Sequence, residues 1–406
     1  MFFRAHICRD YRDRTSGHNA RGAMRTKRGV GILLGRLVGA GGLAAMLAVG
    51  VASGPASVAS GPQTLAAYSS GPRDVGNPHG HAKVPLAGRV VNTSDPSRVI
   101  GTGKATSCTS AAVVSAVAAG GTITFNCGPK PVTILMTATA DVAKTVHSVV
   151  LDGGGLVTLS GGGERRILFS DTCVGTLSTN DCVNQPYPQV TVQNITFEDG
   201  FDGTHQATCT ANTPACWYGG VSGGGAIYVE GGQFKAVNSG FAGNQCYGSG
   251  PDLGGGAIRV LAQYQNQPVY ITGDTFTGGR CSNGGALSSI GVQWDVTNSV
   301  FINNDATGWG ANPAASGTPG GGSGGAIYTD GDRYNLIING TAMSGNSARE
   351  GGGAIFFVVD SGGGTLTIEH STLSDNPSGV FQNAPGIFDQ VDGHDIAPVV
   401  VGSKIS

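Results

Sequence analysis

Residues 276–301 read FTGGRCSNGGALSSIGVQWDVTNSVF. The stretch begins and ends on phenylalanine, and its contents recur along the chain. One half is Gly-Gly-Ala followed by an apolar residue, with the alanine at Ala226, Ala257, Ala286, Ala326 and Ala354. The other half ends in a bulky side chain, at Phe197, Phe241, Phe276, Phe301, Met343 and Leu373. Seven positions before these stand Val190, Phe234, Val269, Trp294, Leu336 and Leu366, and five before stand Val192, Ala236, Ile271, Val296, Ile338 and Ile368. The residue between the two files is mostly polar (Thr191, Lys235, Tyr270, Asp295, Thr367), with Ile337 the exception. Alternation with a period of two marks a strand with one buried face, and its repetition predicts a stack of such strands.

The shortest repeat, Phe276 to Phe301, spans 25 residues, room for three short strands and three turns. The expected fold is therefore all-β, a right-handed single-stranded parallel β-helix (solenoid) with a short N-terminal capping helix. Longer repeats gain residues mostly between the bulky position and Gly-Gly-Ala, most of all near 200–222 and 306–323. Insertions at one corner of each coil build one face, where solenoids carry function. Asn244, Asn304, Asn346 and Asn376 each follow a bulky residue by three positions, predicting an amide ladder along the stack. Cys246 and Cys281 each follow one by five, so stacking places them one strand spacing apart, roughly 4.8 Å, within disulfide reach.

Working outward, Thr109–Ala119 (TSAAVVSAVAA) has a Thr/Ser start, apolar residues at helical spacing and Gly120-Gly121 as a stop. A helix there would cap the first coil, whose edge and core would otherwise be open. The domain reading is a leader over 1–59, a Pro/Gly/Ser-rich flexible linker over 60–104, the β-helix over 105–396 and a tail over 397–406. In the leader, Arg25, Lys27 and Arg28 precede an apolar run from Val30 to Val51, and Ser57-Val58-Ala59 is the expected cleavage site; Met24 is an alternative start. If the leader is retained, the same run is a membrane anchor. Without it, 15 Lys/Arg and 24 Asp/Glu remain, a net charge of −9 that argues against nucleic acid and suits a secreted or cell-surface monomer. Cys8 lies in the leader. The other eight cysteines are even in number with no CxxC pair, so disulfides are expected over a thiolate zinc site. Cys108 would tie the cap to Cys127, while Cys173 and Cys182, and Cys209 and Cys216, are near enough to staple loops.

Gly-Gly-Ala-Ile/Leu with Phe-x-x-Asn (Phe241 to Asn244, Phe301 to Asn304) resembles the paired repeat of polymorphic outer-membrane protein passengers. More broadly the chain, over roughly 105–390, resembles the pectate-lyase-like right-handed parallel β-helices. The first resemblance implies an adhesin, the second cleavage of acidic polysaccharide. The Asn-Thr-Asp, Asp-Asp and Gly-His-Gly set of polygalacturonases and the Arg-x-Pro-x-x-Arg segment of lyases do not occur, so neither resemblance carries over a catalytic residue.

The residues themselves suggest a site. In the Gly-Gly-Ala strands, Ile227/Val229, Ile258/Val260, Leu287/Ser289, Ile327/Thr329 and Ile355/Phe357 form the inward set. Tyr228, Arg259, Ser288, Tyr328 and Phe356 then form an outer strip beside Glu230 and Asp330, fit to hold sugar rings with Arg280 nearby. For lyase chemistry Arg259, Glu230 and Asp330 are the candidate catalytic residues, with Asp252 and Asp332 as candidate ligands for calcium. A hydrolase would instead use Asp330 and Asp332, roughly 7 Å apart along an extended strand. Asp330-Gly331-Asp332-Arg333 equally reads as an exposed turn. His205, His370 and His394 are too scattered for a metal cluster, and His370 takes the place of Asn194, Asn238 and Asn298 at a turn. The function expected is an exported β-helix acting on or binding extracellular or cell-wall polysaccharide, as a lyase or as a non-enzymatic adhesin.

Overall fold

In the computed structural model, residues 75–172, 182–202, 222–251, 253–311 and 317–406 are described. Among them strands dominate, and the single α-helix is α1 (Ser110–Ala119). The strands form long parallel sheets in which each repeat pairs with the next. The first sheet holds two lanes. One runs through Gln233–Val237, Val269–Thr272, Trp294–Thr297, Asn335–Asn339 and Thr365–Glu369. The other runs through Gly240–Ala242, Thr275–Thr277, Val300–Ile302, Ala342–Ser344 and Thr372–Ser374. The Gly-Gly-Ala strands Ile227–Glu230, Ile258–Ala262, Leu287–Ile290, Ile327–Asp330 and Ile355–Val359 form the second sheet. A short third sheet joins Arg280–Cys281, Asp305–Ala306 and Ser347–Ala348.

The register is the one the alignment gives. Phe197, Phe241, Phe276, Phe301, Met343 and Leu373 are consecutive partners, and their rings stack with centroids 5.3, 4.7 and 4.7 Å apart along the four phenylalanines. Each buried phenylalanine contributes about 1.5–3 kcal/mol. The inward set of the second sheet is buried throughout, including Ser289, whose hydroxyl accepts a hydrogen bond from Trp294 Nε1 at 2.8 Å.

The turns are locked as firmly as the strands. Asn304 and Asn346 each donate an amide N–H to the next amide, Asn346 and Asn376, at 2.8 Å. Their second bonds go back to the carbonyls of Phe276 and Phe301, at 3.2 and 3.0 Å. Gly279 interrupts the amide file, and Asn304 Oδ1 instead accepts its backbone N–H at 3.0 Å. A second ladder has no counterpart in the sequence reading. Ser239, Asp274, Ser299, Thr341, Ser371 and Ser403 occupy equivalent places, and each backbone N–H donates to the next side-chain oxygen at 2.6–3.2 Å. His370 (φ 47°) is a turn residue in the same left-handed conformation as Asn194, Asn238 and Asn298.

Both ends differ from expectation in one respect. The cap forms as predicted: Thr109 Oγ1 accepts the Ala112 N–H, α1 buries Val113, Ala116 and Val117, and Cys108 is bonded to Cys127. The expected linker, however, is bound to the wall over its described part. Backbone and side-chain hydrogen bonds run from Asn77 to Thr93, and Arg98–Ile100 pairs with Gly121–Phe125 as a first strand. Proline and glycine here suit a chain laid across strand edges and turns, where ladder pairing is not required. The expected tail likewise continues the stack, because Val399–Val401 and Lys404–Ile405 pair with Thr365–Glu369 and Thr372–Ser374. No helix of the described residues is long and apolar enough to cross a membrane; the leader lies outside them.

Candidate functional site

The predicted outer strip exists as a file. Phe169, Tyr228, Arg259, Ser288, Tyr328, Phe356 and Phe388 are successive partners in the second sheet. Most of it is covered, with Phe169, Phe356 and Phe388 partly exposed. Tyr228 and Ser288 are fully buried, and Arg259 and Tyr328 are 5% and 7% exposed. The glycines before each strand explain this: their backbone passes directly over the file. A Cβ on Gly254 would collide with Ser288 Oγ and Cβ, and one on Gly223 would lie 2.7 Å from Arg259 Cδ. Glycine is required there because backbone approaches side chain, a signal that periodicity alone does not separate from turn formation.

Under that cover the file is a packed polar-aromatic seam. Tyr328 stacks on Phe356 at 5.0 Å and Phe169 on Tyr228 at 5.4 Å. Tyr228 donates to Glu230 at 2.8 Å, and Tyr328 to Asp330 at 3.0 Å. Burial, then the adjacent Glu230 charge, pushes the Tyr228 phenol well above its usual range. Burial also raises Glu230, opposed by the Tyr228 hydrogen bond. Arg166, which the sequence reading missed, lies 5.2 Å from the Tyr228 ring and pairs with buried Asp202 at 2.9 Å.

This arrangement does not assemble the expected chemistry. Glu230 and Asp330 sit on strands separated by two others, roughly 14 Å by strand spacing, too far apart to serve one proton transfer. Arg259 bonds Ser288 at 3.3 Å beneath the glycine backbone instead of facing a groove. Asp330 and Asp332 are held as turn groups: Asp330 accepts from Tyr328 and Gly331, and Asp332 accepts from Ser361 at 2.7 Å. Among the described residues no three His, Cys, Asp or Glu side chains converge on a point. Asp252, Cys173, Cys209 and Cys216 lie outside the described residues. Cys182 is disulfide-bonded, and Cys246 is bonded to Cys281 as the register requires, with Cα atoms 4.7 Å apart.

What is exposed lies on the third sheet. A shallow depression of about 360 Å³ is lined by Arg280, Asp305, Thr307, Ser347, Ala348 and Arg349. Arg280, Asp305 and Ser347 are one file: Arg280 pairs with Asp305 at 3.4 Å, and Ser347 donates to Asp305 at 2.8 Å. Arg349 stands 5.3 Å from the ring of Trp309, which is 41% exposed. Trp309 is set by the base of the 306–323 insertion, where its backbone pairs with Gly320 and the next residue, Gly310, donates to Glu350. Of these residues the sequence reading named only Arg280. The others were within reach of it, since Arg280, Asp305 and Ser347 all stand four places after the bulky position. No family model, curated protein or solved structure was found to match this chain.

Proposed function

We propose that the chain is an exported right-handed parallel β-helix that binds extracellular polysaccharide at the third-sheet depression, whose Arg349 also lies over Trp309, and does not cleave it. One observation carries this reading: Arg349 lines an open depression together with a file of hydrogen-bonding side chains and also lies over the exposed Trp309 indole. Sugar rings bury apolar C–H faces on aromatic rings while their hydroxyls take directional bonds, and both partners are present. Arg280, Asp305, Thr307 and Ser347 supply donors and acceptors for hydroxyls, and Arg280 and Arg349 supply charge for acidic sugars. The binding reading is preferred over the lyase because Glu230 and Asp330 are half-buried, each holds a tyrosine hydroxyl, and they stand on strands separated by two others, while Arg259 is buried. The eight non-leader cysteines and the Arg/Lys-led apolar leader support export.

The test is affinity electrophoresis of the secreted form through gels containing uronate-rich or neutral polysaccharides. At least one polymer retards the protein, and Trp309→Ala weakens that by about tenfold, the ~1.4 kcal/mol of one aromatic contact, at unchanged melting temperature. Migration unaffected by every polymer, or by the substitution, overturns the site. New absorbance from unsaturated uronates, with calcium or with chelator, overturns the non-catalytic reading.

A further inference from the structure

The outer wall of the first sheet holds residues 76–93 in a way that reads polypeptide backbone. The Asn298 amide makes two bonds to one residue: its Nδ2 donates to Ala82 O and its Oδ1 accepts the Ala82 N–H, both at 2.9 Å. The Gln193 amide repeats this on Val91, donating to the carbonyl at 3.0 Å and accepting the N–H at 2.8 Å. Between them Lys235 Nζ donates to the carbonyls of Ala87 and Arg89, at 2.9 and 2.7 Å. Gly88 lies on Tyr270 and Thr272, where a Cβ would stand 3.1 Å from each side chain, a tight fit. The segment turns its large apolar side chains away: Leu86 is 81% exposed and Val90 48%.

A primary amide that pairs with both N–H and C=O of one residue recognises any non-proline residue in extended conformation, because no side chain takes part. Two such amides flanking an ammonium group make a docking surface for a peptide strand, specified by backbone shape, by a glycine where the path touches Tyr270, and at its two ends by the Asn77 and Thr93 side chains, which donate to Gly340 O and Asp152. We propose that this face is a polypeptide-docking surface, filled in cis by residues 76–93 and able to accept the same segment from a second copy of this chain. The contacts named are polar, and of the strap's large apolar side chains Leu86 and Val90 stay in solvent while Val84 and Val91 are half-buried, so exchange forfeits only part of an apolar face.

The experiment uses the full chain with a protease recognition sequence inserted between Ser94 and Asp95. After cleavage, a fluorescent synthetic peptide of residues 75–93 is added in excess, and its uptake is followed by anisotropy. Uptake is expected, and equally so for a peptide carrying Leu86→Ser and Val90→Ser. Gln193→Met and Asn298→Gly, which keeps the left-handed turn, each weaken uptake by more than about tenfold. Retention of the cleaved strap against excess peptide, uptake confined to the native side chains, or indifference to both amide substitutions overturns the proposal.

Discussion

Asp389 is expected to make the protein less stable as pH rises, and Asp389→Asn to abolish that dependence. The residue faces inward at the foot of the file Ser170, Val229, Val260, Ser289, Thr329, Phe357 and Asp389. It is fully buried, and neither carboxylate oxygen has a hydrogen-bond partner among the described residues. Burial pushes its pKa from the ordinary 3.8 up to about 7. The unfolded chain therefore releases this proton first, and the folded chain keeps it until near neutrality. Stability is highest below pH ~4, falls as pH rises to ~7, and is flat above, a loss of about 4 kcal/mol at ~1.4 kcal/mol per pH unit. A buried asparagine amide without partners costs about 1–3 kcal/mol at every pH. Wild type and variant should thus cross: the variant is the weaker by about 1–3 kcal/mol at pH 4 and the stronger by a similar amount at pH 8. Guanidinium chloride unfolding at pH 4, 6 and 8, with disulfides intact, measures the difference. Parallel pH profiles for the two proteins would refute the assignment, whatever the absolute stabilities.

Three further outcomes are expected. Asn346→Ala strips partners from the Asn304 N–H, the Phe301 carbonyl and two neighbouring amides, and should cost about 3 kcal/mol in denaturant unfolding. Gly254→Ala should cost about 1–3 kcal/mol by driving a methyl into Ser288, and pairing it with Ser288→Gly should restore most of the loss; a double variant no better than the single one would contradict the packing described. Arg349→Ala should weaken polysaccharide retardation without moving the melting temperature, since the side chain is exposed, lies over the Trp309 ring and lines the depression.

The strand register was legible because each repeat reports it several times over. Valine, phenylalanine, tryptophan or leucine seven places before the bulky position fixes which face is inward, and the disulfide between Cys246 and Cys281 agrees. The hydroxyl ladder was not legible, because serine, threonine and aspartate also occur at turns for local reasons. Exposure of the outer strip was misread for a related cause. Alternation tells which residues leave the core of a sheet, and says nothing of a second layer laid over them by the backbone of the next turn. The strap was misread on composition, since proline, glycine and serine mark chain that avoids ladder pairing, whether it is free or bound.

These locked features constrain where function can reside. In the strands, a side chain is fixed by partners in the repeats above and below; in the turns, the two ladders consume the backbone groups that a ligand would otherwise meet. A substitution at such a place is felt as stability, because its neighbours cannot rearrange without breaking register. Recognition then falls to positions where repeats are allowed to differ. The third-sheet corner is one, since Arg280, Asp305 and Ser347 share a file yet differ in chemistry, and the insertion that brings in Trp309 begins there. The outer wall beneath the strap is another, where Gln193, Lys235, Tyr270 and Asn298 present unlike groups at neighbouring heights. The two faces read different chemistry, sugar hydroxyls on an indole in one case and peptide backbone on amides in the other. It follows that Trp309→Ala should leave peptide uptake intact and Gln193→Met should leave polysaccharide retardation intact. Loss of both activities in either variant would mean that the wall behaves as one surface.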